Sequence, residues 1–249
     1  MIPLPASFLD RPIAHRALHG PGRPENSRAA IRAAIDHGYG IEIDLQLSGD
    51  GQAMVFHDYD LKRLTGAAGA IQQQSAEALD SLTLIGGDEG VPTLREVLTI
   101  VQGQVPLLIE LKDQDGRMGP NTGTLERATA EAVEGYDGSL AFMSFNPHSA
   151  TLMAELCPDR PRGLTTCAYG MSDYPTLSAD TRAHLRTMPG LAKMGASFIS
   201  HHHRDLSSPL VAEQKDRGLQ VLCWTIRSPE EEATARRIAA NVTFEGYMA

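Results

Sequence analysis

The sequence predicts an α/β protein, a (β/α)8 TIM barrel with a β-hairpin inserted after the second strand. Three observations carry this. Short apolar runs alternate with helical patterns from end to end, they form eight strand–helix units, and no Ser/Gly-rich linker interrupts them. With 249 residues, 42% of them hydrophobic, there is material for one large core, so residues 1–249 read as a single domain. A doubly wound open sheet fits the same alternation and is the structural alternative.

Strands are expected at residues 12–16, 40–46, 105–112, 140–145, 162–166, 197–201, 220–226 and 242–245. Between them, Asn26-Ser27 caps a helical run from Arg28 to His37 that Gly38 ends, and Pro92-Thr93 opens another through Val101. Residues 122–135, 147–156, 207–217 and 229–240 continue the series, and 173–189 carries a vaguer helical pattern. The rhythm breaks at Ser48-Gly49-Asp50-Gly51, because Asp-Gly between two apolar alternations signals a hairpin. A two-residue turn at Asp50-Gly51 would set Leu47 opposite Met54, Leu45 opposite Phe56 and Asp44 opposite His57.

The charge balance narrows the partners. Against 31 Asp+Glu stand 22 Lys+Arg, a net charge of −9 with no basic run. That excludes nucleic-acid binding, which needs a basic surface, and a polybasic membrane patch. No apolar stretch reaches the length of a membrane span, and the N-terminus lacks the basic and apolar regions of a signal peptide. Cys157, Cys167 and Cys223 have no paired spacing and read as reduced thiols, so the expected location is cytoplasmic. A small molecule is the expected partner, and an anionic one is admissible where a metal or a few cations reverse the local sign.

The polar residues supply such a place. Glu42 and Asp44 are two apart in a strand and share a face, with Ile41, Ile43 and Leu45 on the other; Glu110 and Lys112 repeat the spacing. Carboxylates in buried parallel strands need compensation, which a hard divalent cation with oxygen ligands, Mg²⁺ or Ca²⁺, provides. Exposure on an antiparallel face, or pairing with Arg or Lys, is the other explanation. His15-Arg16 closes the first strand and runs into a Gly/Pro-rich loop ending at a helix N-terminus, a natural anion site. His15 and His57 can serve as acid and base at neutral pH, while Arg16 and Lys112 gather phosphate oxygens. With no nucleophile elbow, Cys-His pair, GxGxxG or P-loop, the residues point to metal-assisted phosphoester chemistry.

The motifs Ala14-His15-Arg16, Pro24-Glu25-Asn26-Ser27, Glu42-Ile43-Asp44, Ser48-Gly49-Asp50-Gly51 and Val55-Phe56-His57-Asp58 follow one another along the chain. Leu61, Arg63, Thr65-Gly66, Val91-Pro92-Thr93-Leu94, Ile109-Glu110-Leu111-Lys112, Ser144-Phe145-Asn146-Pro147 and Trp224-Thr225-Ile226 continue the order. Taken together the set resembles the glycerophosphodiester phosphodiesterase family. The resemblance implies a barrel related to phosphatidylinositol-specific phospholipases C, and hydrolysis of deacylated phospholipids to an alcohol and sn-glycerol 3-phosphate. It implies Glu42, Asp44 and Glu110 as metal ligands and His15 and His57 as the general acid/base pair. Arg16 and Lys112 match phosphate-contacting positions and Trp224 a pocket-lining aromatic. Lysophospholipid hydrolysis and a non-catalytic phosphodiester-binding barrel are the alternatives.

The chain departs from the family pattern at three places. Ala17 stands where Gly is usual, Arg227 follows Ile226 where Asn is usual, and the last strand runs Val242-Thr243-Phe244-Glu245-Gly246 in place of the usual Thr-Asp ending. The Cβ of Ala17 is expected to narrow a ligand's approach. His201-His202-His203 reads as a solvated loop at a strand end, with one of them aimed at substrate as the other reading. Met143 and Phe145 read as ordinary packing residues.

Overall fold

A computed structural model describes residues Met1–Ala249. Its strands are β1 (Ile13–Ala14), β2 (Gly40–Leu47), β3 (Ala53–Val55), β4 (Leu107–Leu111), β5 (Leu140–Ser144), β6 (Arg162–Thr166), β7 (Phe198–His202), β8 (Gln220–Ile226) and β9 (Asn241–Phe244). All except β3 are parallel to their neighbours, and β1 pairs with both β2 and β9, closing an eight-stranded barrel. Closure rules out the open doubly wound sheet.

Helices α1 (Ser7–Asp10), α2 (Arg28–His37), α3 (Lys62–Thr65), α4 (Ala76–Asp80), α5 (Leu94–Val101), α6 (Thr124–Ala132), α7 (Pro147–Leu156), α8 (Ala179–Arg186), α9 (Pro209–Asp216) and α10 (Pro229–Ala235) complete the chain. Their starts follow the sequence signals. Ser27 Oγ accepts from the N–H of Ala30, and Thr93 with Glu96 forms a reciprocal capping box at α5. Gly38 ends α2 in the left-handed conformation, φ +68°. None of these helices is long and apolar enough to cross a membrane.

Strand alternation builds two cores. Outward residues such as Ile41, Ile43, Leu107 and Ile109 pack under the helices. Inward residues Ile13, Leu108, Ala141, Met143, Phe198 and Leu222 fill the lower barrel, which α1 plugs with the fully buried Phe8. Glu42 and Asp44 share the inward face, because Glu42 pairs in register with Leu108 and Asp44 with Glu110. The apolar lower barrel therefore gives way to a carboxylate layer at the strands' C-terminal ends.

The insertion after β2 is larger than a hairpin. It spans residues 48–93, includes α3, α4 and a short 3₁₀ turn, and packs Met54, Phe56, Leu61, Leu64, Ile71, Leu79, Leu84 and Val91 into its own cluster. The hairpin register differs by one from the expected pairing: Leu45 faces Val55, Gln46 faces Met54 and Leu47 faces Ala53. The physical cause is a three-residue loop, Gly49-Asp50-Gly51. Ser48 exchanges bonds with Gln52, its N–H reaching Gln52 O at 2.9 Å and its Oγ accepting the Gln52 N–H at 2.8 Å. Gly51 takes φ +83° to complete the turn. Consequently the Phe56 N–H bonds Asp44 O, and His57 lies beyond the strand end, not in the ladder opposite Asp44.

Candidate active site

The first strand ends earlier than expected. Arg16 and Ala17 adopt φ of +51° and +63°, so the chain turns out of the sheet immediately after His15. That turn lets the consecutive side chains of His15 and Arg16 reach one cavity, and it aims the Arg16 N–H at Glu42 Oε2, 2.8 Å away. Asn26, also left-handed at φ +60°, donates its carboxamide to Asp44 Oδ2 at 2.9 Å.

Glu42, Asp44 and Glu110 are all buried, and each offers an oxygen within 4.8 Å of the others. Lys112 extends Nζ to Asp44 Oδ1 at 2.7 Å and to Glu110 Oε1. Burial pushes Lys112 against its charge, but Asp44 and Glu110 outweigh that and raise its pKa. Asp44 is held well below the usual carboxylate range: burial works against this, and Lys112, His57, Arg16 and His15 overcome it. Glu42 behaves oppositely. Burial first, then Asp44 and Glu110, pushes it well above its ordinary value, because its only hydrogen-bond donor is the Arg16 N–H. An all-oxygen, buried, under-compensated group fits a hard metal ion, which these three residues could hold. Pairing with Lys112 and Arg16 also occurs, yet it leaves Glu42 without a close cation.

His15 sits across the cavity, its Nδ1 2.5 Å from Glu245 Oε2. Arg227 binds the other Glu245 oxygen at 2.7 Å. Burial holds the His15 pKa below 6.5, partly offset by the Glu245 hydrogen bond, so the imidazole is neutral near pH 7 with Nε2 free of protein partners. His57 Nδ1 lies 2.7 Å from Asp58 Oδ1. Asp58 is gripped by Arg63 at 2.6 and 2.9 Å, Arg63 binds Glu25 at 2.8 and 2.9 Å, and Glu25 accepts from Arg16 at 2.8 Å. The insertion carrying His57 and Arg63 is thus tied by ion pairs to the loop carrying Arg16.

These side chains line a cavity of about 170 Å³ at the barrel mouth, with His15, Arg16, Glu42, His57, Glu110, Lys112, Met143, Phe145, Trp224 and Arg227 in its walls. Asp44 lies beneath it. Trp224 is fixed by donating Nε1–H to Ser200 O at 3.0 Å, and it meets Phe145 edge to face at 5.4 Å. All eight side chains singled out in the sequence therefore converge on one place.

The sequence model of the Glycerophosphoryl diester phosphodiesterase family matches residues 15–243. The chain belongs to that family. A glycerophosphodiester phosphodiesterase of Caldanaerobacter subterraneus subsp. tengcongensis is 30% identical over 92% of this chain and 90% of its own. Glycerophosphodiester phosphodiesterase 1 of Mus musculus is 33% identical over 88% of this chain and 72% of its own. Among solved structures, an Oleispira antarctica phosphodiesterase in complex with the product sn-glycerol-3-phosphate superposes with a TM-score of 0.76 at 27% identity, covering 96% of this chain and 94% of that one. The enzyme class implied by the motifs stands with the family.

The departures from the family pattern resolve in three dimensions. Ala17 packs its side chain into the helix-side core and does not line the cavity, contrary to the expected narrowing. Arg227 and Glu245 bind each other, so two departures 18 positions apart form one unit behind His15. The three histidines are not a solvated loop. His201 is buried in β7, bonded to Thr166 at 2.8 Å and Asp205 at 3.2 Å, and His202 meets Trp224 edge to face at 4.9 Å. Sequence reasoning missed Glu245, Phe145 and the Asp58–Arg63–Glu25 chain as site residues. The only available signal was their place inside the quoted motifs, since no spacing rule links Glu245 to His15, 230 residues away.

Proposed function

We propose that this protein hydrolyses glycerophosphodiesters to an alcohol and sn-glycerol 3-phosphate. The observation that carries this is the joining of His15 and His57 with Glu42, Glu110, Arg16 and Lys112 on one small cavity, with Asp44 beneath it completing the carboxylate group. Its volume equals about six waters at ~30 Å³ each, suited to a phosphoglycerol group. The relative crystallised with sn-glycerol-3-phosphate supports the same product here.

Glu42, Asp44 and Glu110 would hold Mg²⁺ or Ca²⁺, which when bound polarises the phosphoryl oxygens as a Lewis acid. Arg16 and Lys112 neutralise the phosphate and orient it, and Trp224 packs against the glycerol. His15, neutral and with Nδ1 committed to Glu245, takes the proton of the glycerol 2-hydroxyl on Nε2 as that oxygen attacks phosphorus. The bond to the alcohol breaks, and His57 protonates the departing oxygen. Water then opens the cyclic phosphate, giving its proton to His57 while His15 returns one to the 2-oxygen. Glu245 is a positioning residue that stabilises the His15 imidazolium, and Asp58 does the same for His57. This scheme explains why no protein nucleophile is present.

The test is release of sn-glycerol 3-phosphate from glycerophosphocholine and glycerophosphoethanolamine with Mg²⁺, Ca²⁺ or EDTA. Metal-dependent release that EDTA abolishes is the expected result. No release by folded protein with either metal would overturn the reading.

A further inference from the structure

A second hollow, of about 450 Å³, opens beside the catalytic cavity and shares His57, Glu110, Lys112 and Phe145 with it. Because the two spaces meet at His57, a phosphodiester bound between the histidines has one ester arm in each. The smaller space lies against Trp224 and Arg227, and the larger one runs out past His57 toward the insertion. Its outer wall has an unusual composition. Tyr59, Phe145 and Tyr174 supply aromatic surface, with Phe145 and Tyr174 ring centres 6.0 Å apart and the Tyr59 hydroxyl anchored on Asp113 O at 2.6 Å.

The charges in that wall are one-sided. Asp58 is neutralised by Arg63, and Glu110 by Lys112. Asp60 and Asp113 have no basic partner. Asp60 accepts only the Lys62 N–H, and the Asp113 carboxylate accepts only from the Asn146 carboxamide and the Met118 N–H. Of the two groups in the hollow that can be cationic, Lys112 already spends its ammonium on Asp44 and Glu110, and His57 faces Asp58. Aromatic faces beside uncompensated carboxylates attract an organic cation and disfavour a neutral or anionic group.

Resting on the hydrolysis proposed above, we propose that this hollow receives the leaving alcohol and selects alcohols carrying a quaternary or primary ammonium group. His57 then protonates the oxygen of an alcohol whose cationic end lies among Asp60, Tyr59 and Tyr174. An acyl chain is the competing occupant, and the two carboxylates make it a poor one.

The experiment compares kcat/KM for glycerophosphocholine with that for its 3,3-dimethylbutyl ester analogue, which has the same shape without the charge, using the metal-loaded full chain. The expected preference for the cationic substrate is about tenfold or more. Asp60→Asn and Tyr174→Leu should each reduce that preference about threefold or more, the larger loss falling on the cationic substrate, and kcat/KM for the neutral analogue reads out any general loss at the hollow. Circular dichroism of the variants checks that they fold. Equal or better turnover of the neutral analogue by the unaltered protein, or variants that leave the ratio unchanged, would overturn the selectivity while the hydrolysis stands. Failure to turn over any glycerophosphodiester would overturn both.

Discussion

Glu245→Gln isolates the charge behind His15. The glutamine keeps the shape and an acceptor oxygen for Nδ1–H, but loses the negative charge now 2.5 Å from the ring. A hydrogen bond to a charged partner is worth about 1.5–3 kcal/mol against about 1 kcal/mol for a neutral one. When His15 takes a proton, two unit charges about 4 Å apart attract by about 4 kcal/mol at an effective dielectric of 20. Arg227 on the opposite oxygen draws off part of that field. The net loss in the transition state is about 2–3 kcal/mol, or a fall in kcat of about 30- to 150-fold. KM should hold, because Glu245 does not line the cavity. The pH profile supplies a second readout. His15 must be neutral to act, and the Glu245 bond raises its pKa against the dominant lowering by burial. Removing the charge therefore moves the acidic limb of kcat/KM to lower pH. Initial rates of glycerol 3-phosphate release between about pH 4 and 9 would measure both effects. A kcat within twofold of the unaltered protein, or a limb displaced to higher pH, would refute the role given to Glu245.

His57→Ala should lower kcat by about 10² or more, and a change confined to KM would make it a binding residue. Saturating Mg²⁺ or Ca²⁺, at about 100 times Kd, should stabilise the fold by about 2.7 kcal/mol, or roughly 5–10 °C in Tm. Glu110→Gln should erase that shift in a thermal melt without metal-free unfolding losing cooperativity; an undiminished shift would remove Glu110 from the ligand set. Burial raises Glu42, so its own contribution to metal-free stability should be lost as pH rises above about 4.5, while the depressed His15, His201, His202 and His203 make theirs grow toward about pH 6.5. Glu42→Gln isolates the first contribution: the metal-free variant's stability relative to the unaltered protein should increase with pH over that range, and a constant difference would contradict the Glu42 assignment. Phe8→Ala, at a fully buried plug in the lower barrel, should cost about 3–5 kcal/mol by denaturant unfolding while leaving kcat nearly intact.

Much of this molecule is local in origin. The period-2 spacing of Glu42 and Asp44 between Ile41, Ile43 and Leu45 determined that both carboxylates share a face, and Ser27, Gly38 and Thr93 with Glu96 determined where helices begin and end, because capping is satisfied within a few residues. The eight strand–helix units determined an α/β chain with a parallel sheet, since parallel strands need crossovers to stand side by side, while closure into a barrel was decided by β1 pairing with both β2 and β9. Tertiary structure alone decided which long-range partners meet. The hairpin register turned on whether Ser48 Oγ closed a three-residue loop, a balance of a few hydrogen bonds that the Asp-Gly signal does not resolve. The burial of His201 depended on Thr166 and Asp205 being in reach. The pairing of Arg227 with Glu245, and of Glu245 with His15, exists only because β9 returns beside β1 to close the barrel. Distances across a closing seam are set by the whole ring of strands, so no window of sequence contains them.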